Sequence, residues 1–284
     1  MSEFIVSGFA DEIDEKVKVQ FEHLNKLGIS YFEPRGINGT NISEINDEQL
    51  KELKADMEKY GIKVSSIGSP IGKIGIKEDF DKHLEKLARV IEIAKALGTK
   101  YIRIFSFFIP QGENPADYRD EVMSRMKKMC ELAEKEGVML LHENEKDIYG
   151  DKPERCLDIF ETVKSPALKG VFDPANFVQC GVKVYPEAFK MLKDHIVYMH
   201  IKDALVNGEV VPAGYGIGGV EEIIKELDTD GYEGFLSLEP HLGSFRGLEN
   251  LETGDEMLKL PESTPEKFTM AYQSLQDILE GMDK

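Results

Sequence analysis

Short apolar runs alternate along this chain with longer stretches in which apolar side chains recur every three or four residues. The short runs are residues 4–9 (FIVSGF), 30–33 (SYFE), 63–68 (KVSSIG), 101–105 (YIRIF), 138–143 (VMLLHE), 170–173 (GVFD), 196–200 (IVYMH) and 235–239 (FLSLE). Most hold four to six residues rich in β-branched and aromatic side chains, the pattern of parallel strands buried on both faces. Between them, Val17, Phe21, Leu24 and Leu27 share one helical face before Gly28, and Leu50, Leu53 and Met57 share one before Gly61. Leu84, Leu87, Ile91 and Ala94 do the same before Gly98, and a further helix over 118–136 stops at Gly137. An apolar stripe closed by glycine is the pattern of an amphipathic helix with its C-cap. Weaker helical patterns cover 154–163, 187–192, 220–227 and 265–279. Eight strands alternating with eight helices, at about 35 residues per unit, predict a parallel sheet with right-handed crossovers. The expected fold is a single α/β domain over residues 1–284, a (β/α)8 TIM barrel. No GxGxxG follows the first strand, which disfavours an open dinucleotide-binding sheet.

The 284 residues carry 35 basic and 53 acidic side chains, a formal charge of −18. This balance argues against a nucleic-acid partner, because such binding rests on Lys and Arg neutralising phosphates. No apolar run approaches the roughly 20 residues of a membrane span. The start, MSEFIVSGFADEIDEK, lacks the basic opening and long apolar stretch of a signal peptide. Cys130, Cys156 and Cys180 form no CxxC pair, which suits a reducing compartment. A cytoplasmic protein with a small-molecule ligand and no nucleic-acid or membrane partner is expected. The acidic cluster 249–256 is expected to be a solvated loop.

In barrels of this type chemistry sits where the strands end. The last four strands run into HENE, FDPANF, HIKDA and LEPH, so that each ends on a candidate ligand: Glu143, Asp173, His200 and Glu239. These lie 30, 27 and 39 residues apart, about one βα unit each, which places them side by side. Three carboxylates and an imidazole suit a divalent cation. The two-residue period of a strand then turns Glu145, Lys202 and His241 inward with their neighbours, as substrate contacts or as ion-pair partners in the barrel mouth. Glu33 and Arg35 share a face, where Arg35 is a candidate substrate contact and could equally pair with Glu33. His142 points outward, where packing is its expected role. The segment 212–219 (PAGYGIGG) reads either as a phosphate cradle or, preferably, as a tight turn.

Together the quoted strand ends and the N-terminal SGFADEI resemble the xylose isomerase-like TIM barrels, in their sugar phosphate isomerase/epimerase branch, over nearly the whole chain. The resemblance implies that Glu143, Asp173, His200 and Glu239 hold one divalent ion, Mn²⁺ first and Mg²⁺, Co²⁺ or Zn²⁺ as alternatives. It further implies that Glu143 and Glu239 exchange protons with a sugar, and that a homodimer forms. Asn176 stands where several related epimerases place a substrate-contacting histidine, and Lys202-Asp203 replaces other polar residues. The pocket tryptophans of xylose isomerase proper are missing. The endonuclease IV branch needs further histidines and a basic surface, and this sequence has neither.

The leading expectation is a metal-dependent isomerase or epimerase that moves a proton beside a carbonyl, Glu143 and Glu239 serving as acid and base. The same site could instead expel a β-substituent from a keto-sugar, keto-inositol or 3-keto-glycoside, as a lyase or dehydratase. A third reading is a non-catalytic sugar-binding barrel.

Overall fold

The computed structural model describes residues 3–245 and 260–282. The barrel strands are β1 (Glu3–Gly8), β2 (Tyr31–Phe32), β3 (Lys63–Val64), β4 (Tyr101–Ile104), β5 (Met139–Glu143), β6 (Leu168–Phe172), β7 (Ile196–Ile201) and β8 (Glu233–Leu238). Six of them form one parallel ladder in the order β1–β8–β7–β6–β5–β4, and β2 pairs in parallel with β3. Backbone hydrogen bonds close the ring: Glu33 N–H donates to Gly8 C=O at 2.9 Å, and Ile67 links to Tyr101 and Arg103 at 2.9 Å each. The result is the expected TIM barrel.

Helices α1 (Val17–Lys26), α2 (Asp47–Tyr60), α3 (Phe80–Leu97), α4 (Arg119–Glu136), α5 (Pro153–Val163), α6 (Pro174–Gln179), α7 (Phe189–Leu192), α8 (Val220–Thr229) and α9 (Pro265–Met282) connect and cover the strands. Their ends follow the sequence signals. Asn46 and Gln49 form a capping box at the start of α2, and Gly61, Gly98 and Gly137 end α2, α3 and α4 in the left-handed conformation. Two strands, β2 and β3, are shorter than predicted by two residues or more. β2 stops before Pro34, which has no N–H to continue a ladder. Beyond β3, the Ser65 and Ser69 hydroxyls add bonds to the Phe32 and Arg103 carbonyls, and backbone pairing continues as separate bonds through Ser65 and Ile67. α6 is an element the pattern did not announce, since Asp173 is both strand end and N-cap, accepting from Asn176 N–H at 2.9 Å.

The main apolar core fills the space between helices and strands. A second cluster, Leu141, Val171 and Tyr198, is packed by Tyr101, Met139 and Phe235. Next to it lies a polar layer in which Ser7 and Ser65 hydroxyls meet at 2.6 Å and Tyr198 OH bridges Ser65 Oγ and Glu33, each at 2.8 Å. Two residues after Tyr198 on β7 comes His200, which opens the charged layer at the strand ends.

Away from that layer, buried His83 on α3 accepts a hydrogen bond from Gly72 N–H at 2.7 Å. Gly72 has φ +90°, and a Cβ there would sit 2.1 Å from Phe105 O, so the turn requires glycine. None of the described helices is long and apolar enough to cross a membrane. The acidic stretch 249–256 lies outside the described residues.

Candidate metal centre

Glu143 closes β5, Asp173 follows β6, His200 lies in β7 and Glu239 follows β8. The ring closure brings one donor atom of each within 4.8 Å of the others, and all four residues are buried. The His200 ring turns Nδ1 toward the carboxylates, 3.1 Å from Glu143 Oε1 and 3.4 Å from Glu239 Oε2. Fully buried, Glu143 Oε2 and Asp173 Oδ2 find no neutral hydrogen-bond donor among the described residues. Acceptors in that position call for a cation. Their nearest cationic atoms are Arg103 Nη1, 3.3 Å from Glu143 Oε2, and Lys202 Nζ, 2.9 Å from Asp173 Oδ2. Three oxygen donors and one nitrogen suit a divalent ion, and these four residues could hold one.

The neighbouring chain fixes these donors. The Asn144 side chain donates to Asp173 C=O at 2.8 Å and accepts from Asp173 N–H at 3.0 Å. Asn176 Nδ2 donates to Glu143 Oε1 at 3.1 Å. On the far side of His200, Nε2 lies 3.4 Å from Glu33 Oε2, which accepts from Tyr198 OH and Ser237 Oγ at 2.8 Å each. Glu33 is therefore the carboxylate placed to orient the histidine, as partners of metal-binding histidines commonly do.

Basic residues surround the carboxylates. Lys202 Nζ spans Asp173 and Glu239 at 2.9 and 3.0 Å. Arg35 makes a two-pronged contact with Asp11 at 2.9 Å and reaches Glu12 at 3.1 Å and Glu239 at 3.2 Å. His241 N–H donates to Glu12 Oε2 at 2.6 Å, while its ring Nε2 lies 3.4 Å from Glu239 Oε1. Lys73 pairs with Glu145 at 3.0 Å.

The two outer glutamates stay ionised for different reasons. Burial raises the Glu239 carboxyl, but Lys202 and His200 outweigh it and hold it well below its ordinary range. Burial and Glu239 also push Glu143 up, against His200 and Arg103, which leave it lowered. Asp173 goes the other way, with burial pushing it up to about 8 against Lys202. Burial and Lys202 keep the His241 ring well below its ordinary value, and it is neutral.

Of the residues predicted for the site, Glu143, Asp173, His200 and Glu239 converge, and Arg35, Lys202, His241 and Asn176 each touch a member of that set. Glu145 lies beyond the end of β5 and faces Lys73. Of the two readings of Arg35, the pairing with Glu33 is not seen: Arg35 turns to Asp11, Glu12 and Glu239, while Glu33 is drawn into the hydroxyl layer. His142 points away from the carboxylates as expected, held by Ser106 Oγ at 2.9 Å and set edge-on to Phe160. The roles of Asp11, Glu12, Lys73 and Arg103 were missed. Arg103 had a signal, a lone charge inside the apolar run YIRIF, and the ADE triplet just past β1 is a strand end like the others.

The pattern of the xylose isomerase-like TIM barrel family matches residues 21–260. The chain belongs to this family. Among relatives of the xylose isomerase-like barrel, the 3-dehydroshikimate dehydratase of Bacillus anthracis is 26% identical over 185 residues, 58% of this chain and 65% of that protein. The probable L-ribulose-5-phosphate 3-epimerase UlaE of Mycoplasma pneumoniae is 24% identical over 136 residues, 48% of this chain and 44% of that protein. The match thus spans less than two thirds of either curated relative. The crystal structure of the IOLI protein with a bound zinc atom superposes with a TM-score of 0.75 at 18% identity, covering 98% of both chains. At that identity the likeness shows the fold.

Proposed function

We propose that the protein is a divalent-metal-dependent sugar isomerase or epimerase that shifts a proton on the carbon beside a carbonyl. Glu143, Asp173, His200 and Glu239 would hold the ion, with Mn²⁺ proposed ahead of Mg²⁺, Co²⁺ and Zn²⁺. A divalent ion bound there would polarise a carbonyl oxygen and offset the carboxylate charge. The observation that carries the proposal is the placement of Glu143 and Glu239, on different strands and with donor oxygens within 4.8 Å, both held ionised by neighbouring cations. One takes the proton from the carbon, and the other returns one to the opposite face. Such acid–base help is worth roughly 10²–10⁴-fold. Arg35 and Lys202 restrain Glu239 from two sides, and Asn176 restrains Glu143, so each carboxylate meets the carbon in a fixed orientation.

The dehydratase among the relatives supports a second outcome of the same first step. After proton removal, Lys202, bonded to Asp173 and Glu239, is placed to protonate a departing β-hydroxyl. Solvent deuterium exchange followed by mass spectrometry separates the two. An isomerase labels the α-carbon of its substrate, whereas a dehydratase releases water. Glu143→Gln and Glu239→Gln should each lower the exchange rate by roughly 10²-fold or more; full activity in both would sink the proposal.

A further inference from the structure

Directly after β1 a single 3-10 turn, Ala10–Glu12, sets two carboxylates against Arg35. Asp11 grips the guanidinium through Nε and Nη2 at 2.9 Å each, and the ring centres of Phe9 and Phe245 lie 4.5 and 4.2 Å from its central carbon. Glu12 is buried and divides its carboxylate between two donors. Oε1 accepts from Arg35 Nη2 at 3.1 Å, and Oε2 accepts from the His241 main-chain N–H at 2.6 Å. The Glu12 carbonyl accepts from Ser263 Oγ at 2.6 Å, which anchors the turn from a third side. His241 needs its bond to Glu12. Its φ is +45°, and a residue with a side chain stays in that region only where its surroundings hold it there.

The two groups that Glu12 holds meet again at Glu239. Arg35 Nη1 donates to Glu239 Oε1 at 3.2 Å and lies 3.3 Å from His241 Nε2. A guanidinium can only donate, so Nε2 of the neutral ring is an acceptor, 3.4 Å from the same Oε1. Glu239 Oε2 turns the other way, 3.0 Å from Lys202 Nζ and 3.4 Å from His200 Nδ1. One oxygen of Glu239 thus faces the donor cluster while the other is held on the Arg35 side.

We propose that Glu12 is a positioning residue for Glu239: acting through Arg35 and the His241 main chain, it fixes which carboxylate oxygen is turned toward His200. The proposal rests on the reading of Glu239 as ion ligand and proton-transfer group, and adds a residue that works only through its neighbours. Glu12→Gln leaves one acceptor oxygen for two donors, so either Arg35 or His241 loses its partner.

Two measurements on the whole 284-residue chain test this. Free Mn²⁺ counted by electron paramagnetic resonance gives the ion affinity without reference to turnover. Glu12→Gln should weaken Mn²⁺ binding by about 10-fold when Glu239 is present. In a Glu239→Ala background, where no carboxylate is left to position, the same change should weaken it by less than about 2-fold. Equal or greater weakening in that background would reveal a general disturbance of Glu143, Asp173 and His200 and overturn the proposal, as would unchanged affinity in both. The second measurement is a crystal structure of metal-free Glu12→Gln, or of the one-methylene-shorter Glu12→Asp if the amide variant does not fold. Loss of the Arg35 or the His241 contact to Glu239 Oε1 is expected, and an unmoved Glu239 with both contacts kept would overturn the proposal. Failure of the wild type to bind Mn²⁺ would count against the metal-dependent reading, and the crystal structure then decides the role of Glu12 by itself.

Discussion

Lys202→Met keeps the length of the side chain and removes its charge from between two buried carboxylates. In the wild type the ammonium sits 2.9 Å from Asp173 and 3.0 Å from Glu239. At an effective dielectric constant of about 20, the pairing with ionised Glu239 supplies roughly 5–6 kcal/mol of attraction. Desolvation of the ammonium takes back several kcal/mol, and breaking one side of such a buried pair costs about 3–5 kcal/mol net. An unfolding entropy of about 2.1 cal/mol/K per residue gives roughly 0.6 kcal/mol/K for 284 residues, so the melting temperature should fall by about 5–8 °C. The assay is scanning calorimetry at neutral pH in chelator and again with saturating Mn²⁺. A bound ion replaces the missing positive charge, so Mn²⁺ should raise the melting temperature more in the variant than in the wild type. A variant that melts within about 1 °C of wild type in chelator would refute the electrostatic reasoning. Equal Mn²⁺-induced shifts in the two proteins would show that ammonium and ion do not share the same carboxylates.

Glu33→Gln removes the charged partner of His200 Nε2 and should weaken divalent-ion affinity by about 10–100-fold in titration calorimetry, with unchanged affinity counting against an orienting role. His83 is held neutral, its pKa pushed down to about 4 by burial, below the ordinary 6.5. The unfolded chain therefore binds more protons between those values, and stability is lost as pH falls from about 6.5 toward 4, by up to about 3 kcal/mol. His83→Gln should flatten that part of a pH-dependent urea denaturation profile; an unaltered slope would show that His83 does not carry it.

Much of the site could be read along the chain because the four donor residues sit where strands end, and strand ends are marked locally by an apolar run meeting a polar residue. The helix ends at Gly61, Gly98 and Gly137 were legible for the same reason, since left-handed caps favour one residue type. What escaped was long-range pairing. Arg35 and Glu239 are 204 residues apart, and their contact depends on the closing of the ring between β8, β1 and β2. Nothing in the strand period distinguishes Glu33 or Asp11 as the partner of Arg35; the hydroxyls of Tyr198 and Ser237 decide it by claiming Glu33. The segment 212–219 was ambiguous because glycines that admit a phosphate and glycines that admit a neighbouring carboxylate, here that of Asp203 beside Gly216 and Gly218, look alike in sequence.

The Asn144 side chain behaves as one more backbone unit. The regular ladder between β5 and β6 ends with Glu143 opposite Val171, and the amide of Asn144 then exchanges two hydrogen bonds with the main chain of Asp173. Glu143 and Asp173 are thereby mounted on a single stiff plank, tied to each other and, through Asn176, to the start of α6 rather than relying on the loops beyond. Those loops can be lengthened, reshaped or given new side chains without disturbing the spacing of the two carboxylates. Asn144 thus separates the part of the barrel mouth that must stay constant from the part that is free to diversify, which is how one scaffold can serve many substrates with one set of donors.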